Sequence, residues 1–107
     1  IRAGVEALTA MGSMATMTLY WAGLAEAELA AGRLDEARAA VREAAAYLAR
    51  SDERVHEAGL AIMDGRVALA AGDVGHARAA FERALAVAQA QEAHGMARRA
   101  ERHLAEM

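Results

Sequence analysis

Four histidines, His56, His76, His94 and His103, are the residues of this 107-residue chain best suited to hold a metal or move a proton. A helical zinc pair needs two His four residues apart, usually framed as HExxH, and none of the four is so spaced. His56-Glu57 and His76 have carboxylates within a turn, but so does almost any residue nearby. All four are read as solvated or partly packed side chains. With no Cys, a thiolate zinc site and a disulfide framework are both excluded. The one enzymatic reading left open is a subunit whose site is built from His56, Glu57 and Asp64. The chain is not expected to be an enzyme, and no metal or cofactor is expected.

Nine glycines are present, yet neither GxGxxG nor GxxxxGK[ST] occurs, so no phosphate cradle is encoded. Gly32 and Gly72 read as helix stops, and Gly65 as a close helix crossing. Met11, Met14, Met17, Tyr20, Trp21 and Leu24 make a stripe that suits either a core face or an adaptable peptide groove; the core reading is preferred. Arg98, Arg99, Arg102 and His103 form a basic cluster interleaved with Glu101 and Glu106. Such a cluster is a solvated helix end or a dock for an acidic partner. All twelve Lys/Arg positions are Arg, and the formal net charge is −3. That balance lacks the basic stripe that nucleic-acid binding uses to displace counterions.

The elements that would position these residues are helices. Three residues in ten are Ala, Pro is absent and β-branched residues are sparse. Such a composition favours helix throughout and leaves little to build a sheet. The fold class is all-α. No uninterrupted apolar run reaches the ~18–20 residues that span a bilayer, and an Arg-tipped hydrophobic leader with a cleavage site is not expected. A soluble, cytoplasmic protein without a membrane partner is the expectation, and a chain beginning at Ile1 is read as part of a longer one.

A repeat organises the helices. Leu29-Ala30-Ala31-Gly32 is identical to Leu69-Ala70-Ala71-Gly72, forty residues on. The match resumes with Ala37-Arg38-Ala39-Ala40 over Ala77-Arg78-Ala79-Ala80, then Ala44 over Ala84 and Ala46 over Ala86. Val41 falls opposite Phe81 and Leu34 opposite Val74. Each unit resolves into two helices. Ser13 is a candidate N-cap for a helix running to about Ala31, with Gly32 free to take the left-handed stop conformation. Leu34, Ala37, Val41, Ala44 and Leu48 recur at spacings of three and four, one stripe of a second helix. The polar run Ser51-Asp52-Glu53-Arg54 breaks it. A third helix is predicted from about Val55 to Ala71, and a fourth, capped by Asp73, carries Val74, Ala77, Phe81, Ala84 and Ala88. The repeat units are residues 13–50 and 53–91. Unpaired helices over 1–11 and 93–107 flank them, with breaks near Gly12, Gly32, Ser51, Gly72 and Gln91. Trp21 and Phe81 are expected to be the largest buried side chains.

The pattern Trp21, Leu24, Ala25, Gly32, Leu34, Ala37, Val41, Ala44 resembles the tetratricopeptide (TPR) consensus. The second unit keeps Gly65, Gly72, Ala77, Phe81 and Ala84 but has Ala61 for Trp21 and Asp64 for Leu24. More narrowly, Leu24-Ala25-Glu26-Ala27, Gly32-Arg33-Leu34-Asp35-Glu36-Ala37, Glu53-Arg54, Glu57-Ala58, Gly65 and Phe81-Glu82-Arg83-Ala84-Leu85 are similar to one bacterial group. So are Gln91, Ala93, Arg99-Ala100 and Leu104-Ala105. The group is the C-terminal TPR region of regulators that join a STAND-class ATPase to a LuxR-type or SARP-type DNA-binding domain, or to a class III adenylate cyclase. Ile62 stands where that group has Arg, and the usual repeat-ending Pro is replaced by a polar linker.

The resemblance implies an α–α superhelix of stacked hairpins, about two and a half repeats, with the first helix of each lining a concave groove. Carried over by position, the groove is lined by Leu19, Ala22, Glu26, Leu29, Ile62, Arg66, Leu69, Arg99 and Arg102. Ala22, Glu26, Ile62 and Arg66 do not reproduce the Lys/Asn clamp of chaperone-tail receptors. The function implied is a protein-interaction and regulatory module of a bacterial signalling protein or transcriptional regulator, binding a protein or peptide in the groove and acting on other domains of its parent. A stand-alone scaffold is the alternative. Val5, Leu8, Met11 and Met14 at one end, and Met96, Leu104 and Met107 at the other, form apolar stripes without a covering helix. A homodimer through the terminal helices is therefore expected of the chain on its own.

Overall fold

The computed structural model describes residues 14–50 and 54–107. Every regular element among them is helical: α1 (Met14–Ala30), α2 (Leu34–Ala49), α3 (Glu57–Ala70), α4 (Val74–Ala90) and α5 (His94–Ala105). They divide into two compact units at the His56–Glu57 junction. The first holds the α1–α2 hairpin and the second holds α3, α4 and α5. The helix over 1–11, the break at Gly12, the cap at Ser13 and the break at Ser51 lie outside the described residues. No described helix is long and apolar enough to cross a membrane.

One turn is used three times. After α1, Gly32 takes φ +79°, the Gly32 N–H donates to the Leu29 carbonyl at 3.1 Å, and Arg33 N–H donates to Glu28 at 2.9 Å. After α3, Gly72 takes φ +85°, with matching bonds to Leu69 and from Asp73 to Ala68. This is the Schellman arrangement, in which a left-handed residue lets the last carbonyls of a helix find donors. The third copy follows α4, where Glu92 occupies the left-handed position at φ +56° and Ala93 N–H donates to Ala88 at 2.8 Å. A glycine-based search finds the first two stops and misses the third. The expected break near Gln91 is nevertheless correct to within a residue or two.

The residues that open the following helices, Arg33, Asp73 and Ala93, share φ near −90° and ψ near +80°. Asp73 alone of the three caps with its side chain, Oδ1 accepting from His76 N–H at 3.1 Å. Helix α3 starts two residues later than expected. Arg54 donates from Nη1 to the Leu48 carbonyl of α2 at 3.0 Å, which holds 54–56 in a turn.

The repeat governs packing too. The buried residues of α2 are Ala37, Ala40, Val41, Ala44 and Leu48, and those of α4 are Ala77, Ala80, Phe81, Ala84 and Ala88, all forty apart. In the second unit Ala61, Ile62, Ala68, Ala77, Phe81, Ala84 and Ala100 form one apolar cluster. Phe81 is fully buried, with its ring against Gly65 of α3 and stacked on His103 of α5 (centroids 4.8 Å apart, 8° between planes). Trp21 corrects its expectation. It is half-buried, and Met17, Thr18 and Ala25 take the deepest described positions of α1. The cause is local: beside Trp21 the two helices leave a cleft instead of a filled seam.

Helix α5 is also corrected, from an unpaired flank to a packed element. The turn at Glu92 folds it back onto α4, with a lighter contact to α3. Met96, Leu104 and Met107 lie half-buried against the Phe81 cluster, so the stripe expected to be uncovered faces inward.

Candidate functional site

The nine groove positions separate by burial and charge. Leu19 is 56% exposed and Leu69 40% exposed. Glu26, Arg99 and Arg102 are exposed, while Ala22, Leu29 and Arg66 are partly buried. Ile62 is 1% exposed and belongs to the Phe81 cluster, so it is a core residue and not a groove residue. Its helix, α3, is covered by α5 as well as by α4, which draws in a position that an isolated hairpin would leave at its surface.

Within the second unit, the charges of Arg66 of α3 and of Arg99 and Arg102 of α5 act on the same side chain, His103. Burial holds the His103 imidazole below its ordinary pKa. The positive charge of Arg66, then of Arg99 and Arg102, pushes the same way, with Glu106 opposing. A neutral ring suits its stack on Phe81. Arg99 also leans on Met96, with Nη1 3.6 Å from the sulfur.

A second polar cluster ties α3 to α4. His76 Nε2 lies 3.0 Å from both carboxylate oxygens of Asp64, and Arg83 Nη2 donates to Oδ2 at 3.3 Å. The sequence offered one signal for it: Asp64 replaces the apolar Leu24 of the first unit, forty residues earlier. At the same offset His76 replaces Glu36 and Arg83 replaces Glu43, so three charges change together. Reading each residue along its own helix could not show that grouping. His76 and Arg83 are more than half exposed, and the cluster works as a surface strap. Asp64, one of the residues of the enzymatic reading, is engaged in this strap. Among the described residues no group of three or more His, Asp or Glu is placed to hold a metal ion.

In the first unit, a cleft of about 340 Å³ opens between α1 and α2. Trp21, Leu24, Ala39 and Ala40 give its apolar lining, and Glu28, Glu36 and Glu43 its acidic one. Tyr20 meets the indole edge-to-face, at 5.8 Å and 88°. Trp21 Nε1 is buried without a hydrogen-bond acceptor. Arg33 grips Glu28 through Nε and through Nη2 at 3.1 Å. That hydrogen bond lowers the Glu28 pKa and raises that of Arg33.

Compared with protein-family models, with curated proteins and with solved structures, the chain matches none.

Proposed function

We propose that the chain is a TPR-like interaction module, part of a superhelix of hairpins that binds a protein partner and regulates the domains of a larger bacterial signalling protein or transcriptional regulator. One observation carries the reading. The Gly32 and Gly72 turns, the starts of α2 and α4 and the buried positions of those two helices recur at forty residues, as they do in a repeat protein built of helical hairpins. Such a surface acts by geometry: binding on it biases an attached domain, with no chemistry of its own. The exposed Leu19, Leu69, Arg99 and Arg102 are the parts offered to a partner.

Photo-crosslinking in the cell of origin tests the reading. A photoreactive residue placed at Leu19, Leu69 or Arg99 is expected to capture one defined protein or domain. The same residue at Arg38 or Arg78, exposed on the second helix of each hairpin, is expected to capture little. Equal yields from both sets, or none from either, would remove the proposal.

A further inference from the structure

The cleft of the first unit and the strap of the second occupy equivalent places in the repeat. Leu24, Glu36 and Glu43 line the cleft, and Asp64, His76 and Arg83, forty residues on, make the strap. In the second unit this place holds an Arg side chain and a His side chain seated on a carboxylate. In the first unit the same positions hold Leu24 and two carboxylates beside an indole and open space, with Glu in place of both His76 and Arg83.

We infer that the α1–α2 cleft is a binding site for an arginine side chain of a protein partner, stacked on Trp21 and paired with Glu36 and Glu43. The inference rests on the interaction-module reading and names the chemistry of one of its contacts.

Charge, shape and the aromatic surface select that occupant. Three carboxylates and no basic residue are among the described residues that line the cleft, and the nearby Arg33 is engaged with Glu28. Glu36 and Glu43 sit seven residues apart, on one face of α2 about two turns from each other. A planar guanidinium can fork onto one of them while its face lies on the half-buried indole, a pairing that the compact, strongly hydrated ammonium of lysine reproduces poorly. The cleft volume is at the lower end of that of ligand pockets, and fits one long side chain. Tyr20 packs at right angles to the indole, which limits the motion of that ring before the ligand arrives.

Trp21 is the only Trp of the chain, so its emission and its indole N–H resonance report on this cleft alone. The probe is a blocked Gly-Gly-Arg-Gly-Gly peptide, with citrulline and lysine versions for comparison. The arginine peptide is expected to move both signals saturably, with a dissociation constant on the order of millimolar. Glu36→Gln and Glu43→Gln are each expected to weaken binding about tenfold, and added salt to weaken it further. The triple variant L24D/E36H/E43R copies the strap into the first unit. It should keep its helical circular dichroism and lose the response, because its own side chains then fill the place. Silence at millimolar arginine peptide, an equal response to citrulline or to lysine, or full binding by a folded triple variant would each overturn the inference. Crosslinks from Leu19 and Leu69 with an unresponsive Trp21 would sink the cleft and leave the module reading standing. A responsive Trp21 without crosslinks would do the reverse.

Discussion

Phe81 and Gly65 are a single packing decision made by two residues. A Cβ at Gly65 would stand 2.6 Å from Phe81 Cδ1 and 2.8 Å from Cζ, closer than any real contact. Gly65→Ala is therefore expected to cost about 1–3 kcal/mol, as overpacking does. Phe81→Ala should cost ~3–5 kcal/mol, and pairing Gly65→Ala with Phe81→Leu should recover part of the first loss in thermal melts. A neutral Gly65→Ala would mean the helices do not cross there. Trp21 sits differently. Its buried N–H has no acceptor, a defect worth about 1–3 kcal/mol. Trp21→Phe removes that defect along with some packing, and should leave stability within about 1 kcal/mol of the parent. A loss as large as that of Phe81→Ala would show the indole to be a core residue after all. His103 has a pKa lowered in the folded state, so the unfolded chain binds its proton first as pH falls. Stability is then full above the ordinary value of about 6.5 and declines as pH drops from there toward the depressed folded value. The loss tied to Glu28 comes at lower pH, below the ordinary carboxylate range, because its folded value is the depressed one. His103→Phe keeps a ring on Phe81 and should flatten the slope between pH 7 and 5 in denaturant titrations. An unchanged slope would assign it to another group.

At the scale of elements, the turn matters more than the helices it joins. Gly32 and Gly72 were legible because glycine is the residue that tolerates positive φ without a Cβ penalty. The third turn was half-hidden, because Glu92 holds the same conformation at a cost of roughly 1 kcal/mol. It persists because α5 gains the packing of Met96, Leu104 and Met107 against the Phe81 cluster. Copying Gly72-Asp73 into that turn, as Glu92→Gly with Ala93→Asp, relieves the backbone and adds a cap. The pair should raise stability by about 1–2 kcal/mol, and Asp73→Ala should lower it by about 1 kcal/mol. Differential scanning calorimetry reads both changes. A destabilised double variant would mean that Glu92 makes a contact worth more than its strain. The helix stripes themselves were plain from sequence, since Ala37, Val41, Ala44 and Leu48, with Ala77, Phe81, Ala84 and Ala88, lie where a 3.6-residue period puts them. Ile62 was misplaced because position along one helix does not tell which second helix will cover it.

For the molecule as a whole, the sequence showed the all-helical class and the forty-residue period, but not how the units complete themselves. The strap of Asp64, His76 and Arg83 and the cleft beside Trp21 come from substitutions between repeats. Their meaning depends on which side chains meet across a hairpin. The α5 stripe also turns inward, so Met96, Leu104 and Met107 offer less apolar surface for self-association than an uncovered helix would. The central structural claim is that residues 57–107 form a compact unit with a core of their own. The cluster around Phe81 lies wholly within residues 57–107. The direct test is the thermal melt of an isolated 57–107 peptide, followed by circular dichroism. A helical spectrum with a cooperative transition, lost on Phe81→Ala, is the predicted result; a coil spectrum at low temperature would contradict it.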